Sequence, residues 1–255
     1  MGEEVLRLNA ILEKGGEFLP KTKLMRDMAA MFFDAGFINA RARKLLGRAN
    51  VNFPQLAAIL AEMADIQDYR VYFYDAPPYK WPEDILSEEE KKRQREAQSK
   101  KDRFFRRLEI TDRFIVRRGK LRPASHSRYT YEDLRGDLEQ VLREEGIYTP
   151  ELMKRLSDRI IKTMRDRMAL QQKGVDSRLV TDLVSLCALE KITTAVLVSN
   201  DSDFAPALKF AVATGVRTVV CGPKSDSEEY RPLIRYADIY IPLTKDLLER
   251  AKMPP

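Results

Sequence analysis

The chain alternates short apolar runs with longer segments whose apolar residues recur at helical spacing. The runs are rich in β-branched and aromatic residues and are too short for helices, which is typical of buried strands. They cover residues 29–33, 69–74, 114–116, 195–198, 216–221 and 238–241. Helical patterns cover residues 40–46, 54–66, 88–107, 131–145, 152–170, 175–189, 204–211, 228–235 and 243–252. This alternation predicts an α/β fold with a mostly parallel sheet and helices on both faces.

The segment 194–221 carries the strongest chemical signal. Its strand ends abruptly in five polar residues, Ser199, Asn200, Asp201, Ser202 and Asp203. Open α/β sheets bind ligands at the carboxyl ends of their strands. Helix capping is the ordinary role of one Asp at such a junction. Two carboxylates beside a serine and an asparagine instead suit Mg²⁺ or Mn²⁺, which prefer oxygen ligands.

Three further aspartates are candidates for the same edge of the sheet. Asp34 follows the first apolar run, so it should lie beside Asp201 if the two strands are neighbours. Asp182 falls among apolar residues of the helix before the central strand, where a carboxylate requires a partner or an ion. Asp176 begins that helix, and capping is an equally good explanation for it. An ideal helix separates Asp176 and Asp182 by ~9 Å along its axis, so both reach one metal only if Asp176 lies outside the regular helix.

The positive charge of the chain is concentrated in one segment. The 255 residues carry a formal charge of +6, and residues 80–128 alone hold 16 Lys and Arg against 9 Asp and Glu. A basic segment of this kind favours contact with a polyanion. We predict that Arg103, Arg106 and Arg107 contact a nucleic-acid backbone, with Phe104 and Phe105 as base-stacking surfaces. The alternative is a solvated helix whose phenylalanines pack on the domain.

Several classes of protein are disfavoured. No apolar stretch approaches the ~20 residues of a membrane span, and the N-terminus lacks a signal-peptide pattern. Cys187 and Cys221 lie in apolar segments, and the lone His126 is remote from both. These residues give neither a disulfide framework nor zinc spacing nor a Cys-His nucleophile pair, so a cytoplasmic location is the expectation.

Four stretches resemble, in chain order, the motifs of NYN domains, the LabA-like branch of the PIN-like nuclease superfamily. They are Phe33-Asp34-Ala35-Gly36-Phe37-Ile38, Tyr74-Asp75-Ala76-Pro77-Pro78, Gln172-Lys173-Gly174-Val175-Asp176 with Asp182, and Val198-Ser199-Asn200-Asp201-Ser202-Asp203-Phe204. The resemblance covers roughly residues 29–250. It implies a Rossmann-like three-layer α/β/α sandwich. Outside the common pattern we expect a helical lead-in at 1–28, a charged helical insertion at 79–112 and a helical segment at 125–170.

The resemblance also implies an activity, the metal-dependent cleavage of RNA. It assigns Asp34, Asp182 and Asp201 to Mg²⁺ or Mn²⁺, with Asp176 and Asp203 in support. Candidate substrate contacts are Asn39, Lys173, Ser199 and Asn200. The chain departs from the family pattern in two places, with Phe37 where many members have asparagine and Asn200 where glycine is common.

Two other functions compete with a nuclease. One is a nucleic-acid-binding regulatory protein that keeps the acidic pocket but turns over little. The other is a phosphatase of the haloacid-dehalogenase type, which would want its Asp-x-Asp pair after the first strand, where this chain has the single Asp34. The sequence does not name the RNA or the oligomeric state, and it does not say whether cleavage is endo- or exonucleolytic.

Overall fold

A six-stranded parallel sheet forms the centre of the protein in the computed structural model, which describes residues 28–48, 51–81, 83, 86–123, 131–156, 158, 170–224 and 231–252. The strands in chain order are β1 (Met28–Asp34), β2 (Asp68–Asp75), β3 (Phe114–Arg118), β4 (Lys120–Pro123), β5 (Leu170–Lys173), β6 (Thr194–Val198), β7 (Arg217–Gly222) and β8 (Ile239–Pro242). The main sheet has the order β3-β2-β1-β6-β7-β8, and every neighbouring pair is parallel. Strands β4 and β5 form a separate antiparallel pair.

Helices cover both faces of this sheet. They are α1 (Ala35–Leu46), α2 (Phe53–Met63), α3 (Glu88–Glu109), α4 (Tyr131–Glu144), α5 (Val175–Ala188), α6 (Ala205–Ala213), α7 (Arg231–Ile234) and α8 (Lys245–Arg250). One core cluster joins α1, α2, α3 and α8 to one face of the sheet, and a second joins α5, α6 and α7 to the other. The architecture is therefore a three-layer α/β/α sandwich, which confirms the predicted fold class.

The order of the strands reverses between β1 and β6. These two strands are parallel neighbours, with Phe33 paired to Val198 at their carboxyl ends. The residues that follow, Asp34 and Ser199, therefore lie side by side at the point of reversal. Ligands of open α/β sheets bind in the crevice at such a point. The topology thus puts Asp34 and the Asp201 loop at one edge, as the alternation of strands and helices predicts.

Two local features differ from the sequence-based prediction. Helix α1 begins at Ala35, directly after the strand, because the Asp34 side chain caps it; the apolar spacing predicts a helix only from residue 40. Strands β4 and β5 were not predicted, since each has four residues and no apolar run. Parts of two predicted helical segments lie outside the described residues. In the lead-in these are residues 1–27, and in the segment 125–170 they are residues 125–130, 157 and 159–169.

Helix α3 of the charged insertion docks on the sheet through its C-terminal part. Phe105 and Leu108 are buried there, and the ring of Phe104 meets those of Phe53 and Phe73 edge-on. Full burial of one such side chain stabilises a fold by about 1.5–3 kcal/mol. The expectation that the two phenylalanines stack on bases is therefore wrong for Phe105, which has no exposed surface. The ring of Phe104 is engaged with the core as well.

The N-terminal half of α3 extends beyond the carboxyl edge of the sheet. Lys101 forms an ion pair with Asp75, the last residue of β2, so the helix crosses the edge near that position. The 13 residues before Lys101 add about 20 Å of helix past it. The preceding loop packs along this part, where Gln98 donates to the Pro78 carbonyl at 2.6 Å and Gln94 accepts from the backbone N–H of Trp81 at 2.7 Å. We call residues 76–81 and 86–100 the arm.

Candidate active site

Asp34 is fixed by hydrogen bonds to both of its carboxylate oxygens. Its Oδ1 accepts from the backbone N–H of Phe37 at 3.1 Å, which caps α1. Its Oδ2 accepts from the Oγ of Ser199 at 2.9 Å, across the junction of β1 and β6. The backbone N–H of Gly36 also hydrogen-bonds this carboxylate, and three donors leave one of its about four lone pairs for another ligand.

Ser199 connects Asp34 to the loop that carries the other carboxylates. Its side chain is fully buried, and its Oγ accepts from the backbone N–H of Asp201 at 3.2 Å. Asp201 in turn accepts from the N–H of Asp203 through Oδ1 at 2.9 Å and so caps the short 3₁₀ turn Ser202–Phe204. One carboxylate oxygen of Asp201 thus has the capping role. The other, Oδ2, accepts no hydrogen bond within the described structure.

Asp176 lies in the first turn of α5 but does not cap it. The N-cap is Gly174, whose φ of 80° suits glycine, and no side chain caps the helix. Burial raises the pKa of Asp176 above the usual range for Asp, and the charges of Asp34, Asp201 and Asp203 raise it further. The pKa of Asp34 is also raised, mainly by burial, with a contribution from Asp201. These four residues form what we call the acidic cluster.

The acidic cluster is not neutralised by protein cations among the residues that the structure describes. No lysine or arginine there forms an ion pair with any of its four members. Like charges held close together destabilise one another unless a cation or a proton intervenes. Among the described residues, the mutual repulsion of these carboxylates is therefore not offset by an ion pair.

Asp182 makes different contacts. Its Oδ2 accepts a hydrogen bond from the hydroxyl of Tyr74 at 2.8 Å and another from Nε of Arg117 at 2.9 Å. The hydrogen bond to Asp182 raises the pKa of Arg117, and burial together with the Asp182 charge raises that of Tyr74. Asp176 and Asp182 both lie within the regular helix α5, so they stay ~9 Å apart along its axis. The structure thus pairs Asp182 with Arg117 and Tyr74.

The donor set of the acidic cluster has the chemistry that a hard divalent cation requires, since all of its ligands are oxygens. Within the described ranges no three Asp, Glu, His or Cys side chains converge closely enough to enclose a metal ion. Magnesium seldom needs such a cage, because it keeps several waters and binds one or two carboxylates together with substrate phosphates. The residues present fit an open site of this kind at Asp34 and Asp201.

The other predicted contacts lie on several different elements. Asn39 lies in α1 and Asn200 in the loop before Asp201, both partly buried. Lys173 ends β5, where its backbone pairs with Lys120, and its side chain is outside the described structure. Three arginines of α3 are exposed, Arg103, Arg106 and Arg107. The first two line a surface groove of about 480 Å³ with Lys80 and Arg95.

Two charged pairs near the site were missed by the reasoning from sequence, Arg117 with Asp182 and Lys101 with Asp75. Arg117 had a usable signal, because it follows the apolar run 114–116 just as Asp34 follows its own run. A residue in that position lies at the carboxyl edge whatever its charge. Lys101 had no such signal, since it is one cation among many in α3.

A three-layer sandwich with carboxylates at the switch point of its sheet is the architecture of a PIN-like domain. The family model of the NYN domain matches residues 113–244, about half of the chain. The chain therefore belongs to the NYN domain family, within the PIN-like nuclease superfamily. The matched range includes Asp176, Asp182, Asp201 and Asp203, whereas Asp34 and the arm precede it.

Two further comparisons accompany this match. A crystal structure of a protein of unknown function from Vibrio parahaemolyticus superposes with a TM-score of 0.47 and 16% sequence identity, covering 87% of this chain and 96% of that chain. A comparison with curated proteins finds no match. As to membranes, none of the described helices has the length and apolar character needed to cross a bilayer.

Proposed function

We propose that this protein is a divalent-metal-dependent ribonuclease that hydrolyses phosphodiester bonds of single-stranded RNA at the acidic cluster. One observation carries the proposal. Carboxylates that follow two neighbouring parallel strands meet at the switch point of the sheet, joined through the buried Ser199, with no protein cation paired to them in the described structure. Membership of the NYN domain family supports nucleic acid as the substrate.

Asp34 and Asp201 would hold the Mg²⁺ or Mn²⁺ ion, with Asp176 and Asp203 contributing charge nearby. Such an ion supplies a water of lowered pKa and stabilises negative charge on phosphate oxygens. The hydroxyl of Ser199 holds Oδ2 of Asp34 in place, and the N–H of Asp203 does the same for Oδ1 of Asp201. Both carboxylates are thus oriented before substrate arrives, which lowers the cost of binding in a defined geometry.

Asp176 is suited to accept the proton of the attacking water. Its raised pKa, caused by burial and by the neighbouring carboxylates, brings it closer to the value that a general base needs near neutral pH. Removal of a general base typically costs about 10²- to 10⁴-fold in rate. The Asp176→Asn variant should therefore retain more activity than a variant that lacks a metal ligand.

The RNA strand would approach along the basic surface of the arm and α3. Arg103, Arg106 and Arg107 recur at positions i, i+3 and i+4, so they share one face of the helix. That face is exposed and lies on the helix that crosses the sheet edge beside Asp75. These arginines would contact phosphates at a distance from the site of cleavage.

A second candidate is the low-activity nucleic-acid-binding regulator. It is favoured by the lack of convergence of three ligating side chains in the described part of the chain. The two functions differ in turnover. A nuclease cleaves many substrate molecules per protein molecule when metal is present, whereas a regulator binds RNA without releasing products.

The first prediction concerns Asp201. Purified protein should cleave labelled single-stranded RNA with Mn²⁺ or Mg²⁺ and not with EDTA, and labelled single-stranded DNA serves as the comparison substrate. Asp201→Asn should abolish cleavage and leave the circular dichroism spectrum unchanged, because the amide keeps the shape of the side chain and removes the charge that binds a cation. Asp34→Asn should behave alike.

The matched control for this experiment is Asp65→Asn. Asp65 is exposed, follows α2 and has a φ of 52°, which asparagine also adopts readily. This variant should cleave as the parent does. Parental cleavage by Asp201→Asn would overturn the metal assignment, and RNA binding by the parent without multiple turnover would favour the regulator.

A further inference from the structure

Arg117, Tyr74 and Asp182 form a network beside the acidic cluster that the proposed mechanism does not use. Asp182 receives the Nε–H of Arg117 and the hydroxyl of Tyr74 on the same oxygen. The guanidinium carbon of Arg117 lies 5.8 Å from the ring centre of Tyr72. The side chain of Arg117 nevertheless remains 40% exposed. The network therefore holds an arginine in a fixed orientation with part of its guanidinium open to solvent.

The sheet register relates Arg117 to the acidic cluster. Arg117 pairs with Tyr74, and Tyr74 pairs with Asp34, so the three residues form one row across β3, β2 and β1. The side chains of residues paired across neighbouring strands project to the same face of the sheet. For this row, that face is the one covered by α5. Two strand spacings separate the Cα atoms of Arg117 and Asp34 by about 10 Å. This short separation places Arg117 within reach of the strand that would be bound at the acidic cluster.

The free part of Arg117 has the chemistry of a phosphate site. Asp182 occupies only Nε, and in the described structure neither terminal nitrogen of Arg117 has a hydrogen-bond acceptor. Those two nitrogens carry four N–H donors in a planar fork that matches the oxygens of a phosphate. Arg178, in the first turns of α5, donates to the backbone carbonyl of Arg118 and adds a second cation at the end of β3.

We propose that Arg117 binds a backbone phosphate of RNA next to the site of cleavage, and that Asp182 is a positioning residue that orients its guanidinium. The inference rests on the proposed ribonuclease function and adds a substrate subsite to it. It gives Asp182 a role through Arg117 instead of the metal-ligand role implied by the family resemblance. The alternative is an ion pair that only fastens α5 to the edge of the sheet.

Binding without metal separates these two roles. The affinity of a labelled single-stranded oligoribonucleotide is measured by fluorescence anisotropy in EDTA over a series of salt concentrations. Arg117→Gln should weaken binding about tenfold, since it removes a charge-assisted hydrogen bond, and should reduce the salt slope by about 0.7 for one lost phosphate contact. Arg117→Lys should keep the slope and lose affinity, because it retains the charge without the fork. Arg43→Gln, at an exposed arginine in the last turn of α1, is the matched control and should bind as the parent does.

Steady-state cleavage then tests Asp182. Asp182→Ala should raise the KM for RNA, because the guanidinium loses its orientation, and should leave the Mn²⁺ concentration for half-maximal rate unchanged. Asp34→Asn provides the contrast, since loss of a ligand acts on the metal. A thermal unfolding measurement checks that each variant is folded. If Arg117→Gln does not fold, the affinity and salt slope of Arg117→Lys are used for the test instead.

Parental affinity and slope in both Arg117 variants would overturn the proposal and leave the network as a fastening of α5. A higher Mn²⁺ requirement in Asp182→Ala would also overturn it and make Asp182 a metal ligand. Failure of the parent protein to cleave RNA, with weaker binding by Arg117→Gln in EDTA, would contradict the proposed ribonuclease and support the phosphate site.

Discussion

Asp34 and Asp201 each combine a structural task with an open ligand position. One oxygen of each carboxylate accepts a backbone N–H, at Phe37 and at Asp203, and thereby begins the helical turn that follows its strand. The reasoning from sequence treated capping and metal binding as alternatives. A carboxylate has two oxygens, so both roles are compatible when the strand end fixes where the second oxygen lies.

The positions of site residues could be predicted from the sequence where the end of a strand determines them. They could not be predicted where a partner distant in sequence determines them. Asp34 and Asp201 could be placed at one edge because parallel strands end together. Asp182 required a partner on the same physical reasoning, but nothing in its own neighbourhood identified Arg117, which lies 65 residues away in sequence. Asp176 is inside the regular helix, so the helical separation from Asp182 expected from the sequence applies.

The second prediction concerns the repulsion that Asp176 experiences. Asp176→Asn should raise the melting temperature in EDTA by about 2–4 °C, the shift that about 1 kcal/mol produces in a protein of this size. It should also shrink the additional stabilisation by Mn²⁺, because a ligand stabilises the fold in proportion to its affinity for the native state. Differential scanning calorimetry with and without Mn²⁺ measures both effects.

Asp65→Asn is again the control for this measurement. Its carboxylate lies outside the acidic cluster, so neither its melting temperature in EDTA nor its response to Mn²⁺ should change. A lower melting temperature of Asp176→Asn in EDTA would show that Asp176 stabilises the fold through its charge. The cluster would then not be strained by repulsion at this position.

At the scale of elements, helices and buried strands could be predicted because their spacing is local. Strands β4 and β5 could not, since their four-residue sequences are mostly polar and pair across a long stretch of chain. The docking of α3 lay between these cases. The sequence left open whether its phenylalanines stack on bases or pack on the domain, and the structure buries Phe105 and Leu108 in the core.

The third prediction concerns the ion pair that fastens α3 to the edge of the sheet. Asp75 is 11% exposed and pairs with Lys101, whose ammonium lies 5.0 Å from the ring centres of Phe104 and Phe105. Lys101→Met leaves this carboxylate buried without its counterion, so it should lower the free energy of unfolding by about 3–5 kcal/mol. Urea denaturation measures the loss.

A double-mutant cycle supplies the control for the ion pair. Asp75→Asn combined with Lys101→Met removes both charges, and the double variant should be more stable than Lys101→Met alone. With the Asp75→Asn single variant measured as well, the coupling is the loss of stability in the double variant minus the sum of the losses in the two single variants. Additive effects of the two substitutions would show that α3 is held by its phenylalanines alone.

At the scale of the whole molecule, the charge is arranged by topology. The acidic cluster occupies the switch point between β1 and β6, Arg117 lies near the end of β3, and Arg178 lies in the first turns of α5. The family match begins at Arg113, so β1, β2, the arm and α3 all precede the matched range. Under the proposed function, the exposed arginines of α3 would attract the phosphate backbone of RNA.

The last prediction tests whether the insertion serves substrate. Reversal of charge at Arg103, Arg106 and Arg107 to glutamate should weaken RNA binding and reduce its salt slope by up to about 2, at about 0.7 per phosphate contact on a single strand. The Mn²⁺ concentration for half-maximal cleavage should stay at the parental value, because these side chains lie on the exposed face of α3 and not in the acidic cluster. The matched control reverses three exposed cations at the far end of α1, Arg43, Lys44 and Arg48, which should alter neither quantity. An unchanged salt slope in the α3 variant would show that the insertion has only a structural role. The path of the RNA would then run beside Arg117 and Lys173 alone.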